Sequence, residues 1–187
     1  ERVAQPYVSR SYLAPERDSG DQTTAAALVY LAEILGGSGA TSVLGTELQF
    51  DTQQAIYTSA YYGGTALDNT TFGLIAVPVP GVSLQQVEDA MDAAIAKFMA
   101  TGINIETFER IKMQMRASEI YAMDNVEGIA NRYGAALTQG LTIADVQEWP
   151  RILQEVTPDE VMVAARLVFD QKASVTGWLM GPQEELK

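Results

Sequence analysis

The chain has 187 residues, no histidine and no cysteine, and a formal net charge of −12 from 24 acidic and 12 basic residues. Zinc sites draw mostly on histidine and cysteine, and serine or cysteine nucleophiles usually depend on a histidine base. The chain alone therefore cannot assemble most hydrolytic sites. Its acidity argues against binding nucleic acid or an anionic membrane, both of which favour a basic patch.

The length and a 47% hydrophobic content predict one domain over residues 1–187 with a sizeable core. No apolar run approaches the roughly 20 residues of a membrane span. The chain begins at Glu1 rather than methionine. We therefore expect a fragment or a processed product from which a targeting segment has been removed.

The first third of the chain predicts a strand followed by two helices. Residues 7–13 are rich in β-formers and predict the strand. Asp21 opens a helical pattern that ends at the glycine-rich residues 36–39, and a second short helix is predicted over residues 41–50. The apolar face of the first helix consists of Leu28, Leu31, Ala32 and Leu35.

A β-hairpin is predicted next, with strands over residues 55–62 and 71–79. Gly63-Gly64 and Asp68-Asn69 are turn-forming pairs that connect them. Pro78 indicates that the second strand ends there or lies at an edge, because proline cannot donate a ladder hydrogen bond.

The rest is mostly helical. Ser83 with Gln86 forms a capping box, and Asn104 caps a further helix. Another helix is predicted over residues 125–139, and a short one from Thr142 to Trp149-Pro150. Thr157-Pro158-Asp159-Glu160 is a strong helix start, and residues 173–180 predict a last strand. This order predicts an α+β fold, an antiparallel or mixed sheet with helices packed on one face.

One segment carries a family resemblance. Residues 35–44 read LGGSGATSVL, residues 47–49 read ELQ and residues 55–57 read AIY. They resemble the C-terminal, non-catalytic domain of the pitrilysin, insulinase and mitochondrial processing peptidase family of zinc peptidases. In that family a helix ends in Leu-Gly-Gly and is followed by Ser-Ser-Arg-Leu, Glu-Leu-Arg and Gly-Leu-Ala-Tyr. Residues 5–15, 107–112 and 127–140 are also similar, so the resemblance extends over almost the whole chain.

The resemblance implies a peptidase made of two halves. One half carries the zinc motif H-x-x-E-H, with two histidine ligands and a glutamate base, and is expected here as a separate domain or subunit. The second half has the same fold without the motif and encloses the substrate peptide, often contributing an arginine and a tyrosine. On this basis zinc is expected in the partner half, with no metal ligand and no catalytic residue in this chain.

Only the tyrosine of that pair carries over, to Tyr57. The family arginines fall on Gln49 and Val43. The family spacing from the first arginine to the tyrosine is seven residues, whereas Gln49 to Tyr57 is eight, so one residue is inserted. Phe50 stands at the seven-residue spacing and is not arginine either. The resemblance makes Tyr57 a substrate-binding candidate, and its alternative is an ordinary half-buried strand tyrosine.

Other features favour structural interpretations. Residues 36–39 lack the Lys-Ser/Thr of a phosphate-binding loop and follow a helix, so they indicate a helix end. The methionines in the helical patterns indicate core or interface packing. A further set of carboxylates suggests a solvated surface rather than an acid/base pair, namely Asp89, Asp92, Glu106, Glu109 and Glu119.

Three functions are open from the sequence. The first is the non-catalytic half of a bacterial zinc peptidase, holding an extended peptide. The second is a scaffold subunit of the same fold, as in the core subunits of a respiratory complex. The third is an unrelated α+β binding module. By analogy with bacterial two-part relatives we expect the periplasm or cell envelope as the location.

Overall fold

Four antiparallel strands form one sheet in the part of the chain that the computed structural model describes, residues 5–181. The strands are β1 (Tyr7–Ala14), β2 (Ala55–Tyr62), β3 (Thr70–Pro78) and β4 (Ser174–Leu179), in the spatial order β2-β3-β1-β4. This confirms the predicted α+β class and the predicted hairpin, in which β2 pairs with β3. Pro78 ends β3, which lies inside the sheet rather than at its edge.

The described residues also form six α-helices, which pack against one face of this sheet or against each other. They are α1 (Thr23–Gly36), α2 (Leu84–Thr101), α3 (Ile105–Ala122), α4 (Val126–Thr138), α5 (Ile143–Glu155) and α6 (Pro158–Val168). A π-helix, Gly45–Asp51, follows α1, and a 3₁₀ turn, Gln171–Ala173, precedes β4. No helix between residues 5 and 181 is long and apolar enough to cross a bilayer.

The core lies between the sheet and the helices. Alternate residues of β1 and β3 point into it, so Val8, Tyr12, Phe72 and Leu74 are at most 2% exposed. The apolar face predicted for the first helix is buried there as well, with Leu28, Leu31, Ala32 and Leu35 all at 9% or below. We call this side of the sheet the covered face.

The helix ends follow the predicted caps. Ser83 and Gln86 form a capping box at α2, and Thr157 with Glu160 forms one at α6, where Pro158 occupies the first turn. The side chain of Asn104 accepts a hydrogen bond from the backbone N–H of Thr107. These contacts are local, which is why short sequence patterns identify them.

The glycine-rich segment marks a close approach between α1 and β2. A β-carbon on Gly36 would lie 2.0 Å from the backbone nitrogen of Ala60, so no larger residue fits at that position. The predicted helix end is confirmed, and the requirement for glycine comes from backbone packing as well as from helix termination.

Two sequence predictions are wrong in detail. The helix that Thr142 opens does not end near Trp149-Pro150 but continues to Glu155. Pro150 removes one backbone hydrogen bond, yet the following turn buries Leu153, whose carbonyl accepts a 2.9 Å hydrogen bond from the Tyr30 hydroxyl. The second short helix is also mostly a π-helix rather than an α-helix.

Candidate functional site

Tyr57 lies on β2, an edge strand of the described sheet, and its side chain is 53% exposed. It points away from the helices, because its neighbour Thr58 is 3% exposed and faces the core. The Tyr57 hydroxyl is therefore available to a group that approaches the sheet from the side opposite the helices.

A β-bulge orients Tyr57. Ala55 pairs with Pro78 and Tyr57 pairs with Val77, so Ile56 is an extra residue in β2. As a result Ile56 and Tyr57 are both exposed, at 47% and 53%, where a regular strand would bury one of them. Bulges of this kind redirect side chains and are frequent near functional sites.

The segment before the bulge also departs from regular geometry. In the π-helix the backbone N–H of Thr52 donates to the carbonyl of Glu47, five residues earlier. A π-helix accommodates one residue more than an α-helix of the same rise. Gln53 then has a φ of 52°, in the left-handed region. The residue inserted between Gln49 and Tyr57 therefore falls in a stretch where the π-helix and the β-bulge can each accommodate one extra residue.

Gln49 has a structural contact in the position of the family arginine. Its side-chain amide donates a 2.7 Å hydrogen bond to the Thr58 hydroxyl and so ties the π-helix to β2. Val43 packs against the core. Neither residue brings a cation towards Tyr57, and Phe50, at the seven-residue spacing, is a 56% exposed apolar side chain.

The strand registers place Tyr57 at one corner of a second, uncovered sheet surface, which we call the open face. Its exposed members include Leu13, Tyr61 and Val175, at 55%, 42% and 74%. Within residues 5–181 no charged side chain lies on it. Its residues are Tyr7, Ser9, Ser11, Leu13, Tyr57, Ser59, Tyr61, Thr71, Gly73, Ile75, Val77, Val175, Gly177 and Leu179.

Comparison with known proteins identifies the fold and the family. The sequence pattern of the peptidase M16 inactive domain matches residues 1–115. The chain belongs to the peptidase M16 inactive-domain family. No match was found among curated proteins.

Solved structures share this fold. A protease from Helicobacter pylori superposes with a TM-score of 0.84 at 19% identity, over 95% of this chain but only 41% of its own. An inactive peptidase domain from Bordetella parapertussis gives 0.83 at 15% identity and is covered to 95%. Complex III2 from Candida albicans gives 0.73 at 11% identity, over 95% of this chain and 43% of its own. At these identities the likeness establishes the fold alone.

The described residues of this M16 domain do not fit a metal ion. Residues 5–181 contain no group of three or more His, Cys, Asp or Glu side chains able to hold one. The carboxylates considered from the sequence also have structural contacts. Asp92 pairs with Arg10, Glu119 pairs with Arg132, and Asp89 accepts a hydrogen bond from Gln85.

One polar cluster of the domain was not predicted from the sequence. Arg10 points into the covered face, where its side chain is 5% exposed and pairs with Glu88 and Asp92 on α2. Its Nε donates to the Thr176 hydroxyl at 2.8 Å, and Trp178 donates to Glu88 at 2.7 Å. The alternation of β1 indicates which way Arg10 points, but its carboxylate partners lie some 80 residues away. The cluster fastens α2 to β1 and β4.

A second unpredicted cluster joins the loop after β1 to α5. Asp145, 7% exposed, accepts hydrogen bonds from Ser19, Gly20 and Thr142, and those from Thr142 hold its pKa well below the usual range, with help from Gly20 and Ser19. Arg17 stacks on the Trp149 ring at 3.8 Å, and burial lowers the pKa of Arg17 to about 10. The Thr-x-x-Asp spacing signals a cap, and the cluster is architectural.

Two cavities lie on the helical side, on either side of the ion pair between Lys97 and Glu47. Their volumes are about 460 and 230 Å³. Tyr57 is on the opposite side of the sheet. Tyr57 lines neither of these two cavities.

Proposed function

We propose that this M16 domain is the non-catalytic half of a zinc metallopeptidase and encloses an extended peptide that a separate zinc-bearing half cleaves. The observation that carries the proposal is the position of Tyr57, exposed beside a β-bulge at a corner of an uncharged sheet face in an inactive-domain fold. Zinc, held by the partner half, would supply the Lewis acid for hydrolysis.

In this role the Tyr57 hydroxyl donates a hydrogen bond to a carbonyl oxygen of the peptide or to the oxyanion that forms during its hydrolysis. A donor directed at developing negative charge stabilises a transition state more than a ground state. Gln49 bonds to Thr58, so Tyr57 acts without the family arginine at that position.

The test is Tyr57→Phe in the complete peptidase, with both halves and zinc present. The change removes one hydroxyl, and we expect kcat/KM to fall on the order of a hundredfold, as for loss of an oxyanion donor. Tyr61→Phe is the matched control, because Tyr61 lies four residues along the same strand on the same face. Equal activity in the Tyr57 variant and the control would reject a substrate role for Tyr57.

A separate measurement tests whether zinc binding and peptide cleavage belong to the other half. The 187-residue chain alone should bind no stoichiometric zinc by elemental analysis and should cleave no peptide. Peptidase activity that copurifies with the isolated chain would contradict the proposal.

A scaffold subunit is the second candidate function. The likeness to a chain of complex III2 from Candida albicans favours it, as does glutamine in the arginine position. A scaffold predicts an assembly without peptidase activity, in which Tyr57→Phe has no functional effect.

A further inference from the structure

A third cavity lies on the helical side, where α2, the end of α6 and β1 meet. Its volume is about 320 Å³, within the range of roughly 300–1,000 Å³ that is usual for small-molecule sites. None of its lining residues lines either of the two cavities beside Lys97. It is also on the opposite side of the sheet from Tyr57, so the proposed peptide site does not include it.

The floor of this cavity is apolar and held by aromatic contacts. Tyr12 and Ile95 line it and are 2% and 7% exposed. The ring of Phe169 packs edge to face against Tyr12, with the ring centroids 5.2 Å apart, and against Phe72 at 5.8 Å. Met99 adds a further apolar side chain. A ligand therefore meets a preformed apolar surface that suits an aliphatic or aromatic group.

The wall formed by α2 carries an excess of negative charge. Asp92 pairs with Arg10, but the same guanidinium also pairs with Glu88, so the three groups have a net charge of −1. The Arg10 side chain is 5% exposed and does not line the cavity, whereas Asp92 lines it and its side chain is 35% exposed. A ligand in the cavity consequently meets the carboxylate rather than the arginine.

The wall formed by α6 carries a cation. Arg166 lines the cavity and forms no ion pair with any residue between 5 and 181, Asp92 included. It lies in the last turn of α6, where a cation also interacts favourably with the helix dipole. Because that effect needs no ligand, only a binding measurement distinguishes the two roles.

These charges discriminate between possible ligands. A simple anion would satisfy Arg166 but be repelled by Asp92, and a simple cation would do the reverse. A ligand with both charges forms a charge-assisted hydrogen bond at each wall. We infer that this cavity binds a free α-amino acid with an apolar side chain, its ammonium group at Asp92, its carboxylate at Arg166 and its side chain on Tyr12 and Phe169.

Methyl NMR of the complete protein, titrated with L-phenylalanine, tests the inference. Ile95 and Met99 line the cavity, so their methyl signals should shift and reach saturation. Ile105 and Met123, exposed on and beside α3 and outside the cavity, are the internal references and should not shift. The absence of saturable shifts at Ile95 and Met99 up to the solubility limit of the amino acid would overturn the inference.

Two analogues test the need for both charges. N-acetyl-L-phenylalanine lacks the cation and L-phenylalaninamide lacks the carboxylate. Each should bind about tenfold more weakly than L-phenylalanine, because each loses one charge-assisted hydrogen bond. An analogue that binds as tightly as the amino acid itself would contradict recognition of a zwitterion.

Arg166→Gln locates the carboxylate. The side chain is exposed, so we expect the variant to fold, and it should bind L-phenylalanine about tenfold more weakly. Its affinity for L-phenylalaninamide should not change, since that analogue has no carboxylate to lose. Arg116→Gln, at an exposed position of α3, is the matched control and should bind as the unaltered protein does. Equal affinity of the two variants for L-phenylalanine would contradict the inference.

This cavity and the proposed peptidase role are tested separately. The binding measurements do not depend on peptide cleavage, so saturable shifts in a protein without peptidase activity would support the cavity and reject the peptidase role. An active peptidase without saturable shifts at Ile95 and Met99 would do the reverse.

Discussion

The two faces of the sheet differ in whether they contain charged side chains. The covered face, packed against helices, contains a buried arginine held by Glu88 and Asp92. The open face has no charged side chain among the residues that the structure describes. A charge is tolerated in the interior where its partners come from the same chain and satisfy it with ion pairs and hydrogen bonds.

Among these variants, the one that removes the buried charge should lose the most stability. Arg10→Met leaves Glu88 and Asp92 without their cation, and we expect a loss of about 4 kcal/mol in the free energy of unfolding. Urea denaturation of the isolated chain measures it. Arg151→Met, which breaks exposed ion pairs with Glu148 and Glu155, should cost far less, because water screens such pairs. Similar losses would refute the assignment of Arg10 as a buried anchor.

Adjacent residues of β3 allow the two faces to be compared directly. Leu74, fully buried on the covered face, should cost about 3 kcal/mol when changed to alanine. Ile75→Ala, on the open face, should cost about 1 kcal/mol in the isolated chain because its side chain is only partly buried. Equal losses for the two variants would contradict the assignment of Leu74 to the covered face and Ile75 to the open face.

Asp145→Asn should destabilise the isolated chain by about 2 kcal/mol. The carboxylate accepts hydrogen bonds from Ser19, Gly20 and Thr142, and the NH2 group of asparagine cannot accept them. The depressed pKa of Asp145 means that its contribution is complete above the ordinary aspartate pKa of about 3.9 and is lost as the pH falls towards the folded-state pKa. The variant should therefore show a flatter loss of stability below about pH 4. Asp159→Asn, exposed in the first turn of α6, is the control.

The smallest expected effect concerns Tyr57. Tyr57→Phe should change the stability of the isolated chain by less than about 0.5 kcal/mol, since the side chain is 53% exposed. Thermal unfolding checks this directly. A larger loss would mean that the hydroxyl has a structural partner, and a fall in peptidase activity could then not be ascribed to the substrate.

Local chemistry explains what the sequence predicted well. The caps at Ser83, Asn104 and Thr157 involve contacts within three residues, so pattern and structure agree. The end expected at Pro150 fails because a distant hydroxyl, that of Tyr30, and the burial of Leu153 stabilise the following turn. Local helix propensity predicts a helix end poorly where packing between remote residues determines whether the helix continues.

The candidate site shows the same difference between local patterns, which the sequence reveals, and contacts between remote residues, which it does not. The resemblance singled out Tyr57 and the spacing indicated one inserted residue before it, but neither identified the π-helix or the β-bulge of that segment. The order of the strands, and hence the position of Tyr57 at a corner of the open face, depends on pairings between β1, β3 and β4 that join residues far apart in the chain. Arg10 was missed because its partners lie on another element.

The close approach of Gly36 to Ala60 has a consequence for how this protein's most recognisable sequence motif should be interpreted. A side chain at position 36 would collide with the strand backbone, so the first glycine of the Leu-Gly-Gly triplet is a requirement of shape. A protein that performs no chemistry needs it as much as an enzyme does. Its presence identifies the fold and gives no information about catalysis. A role in peptide hydrolysis is tested instead at a single hydroxyl, that of Tyr57.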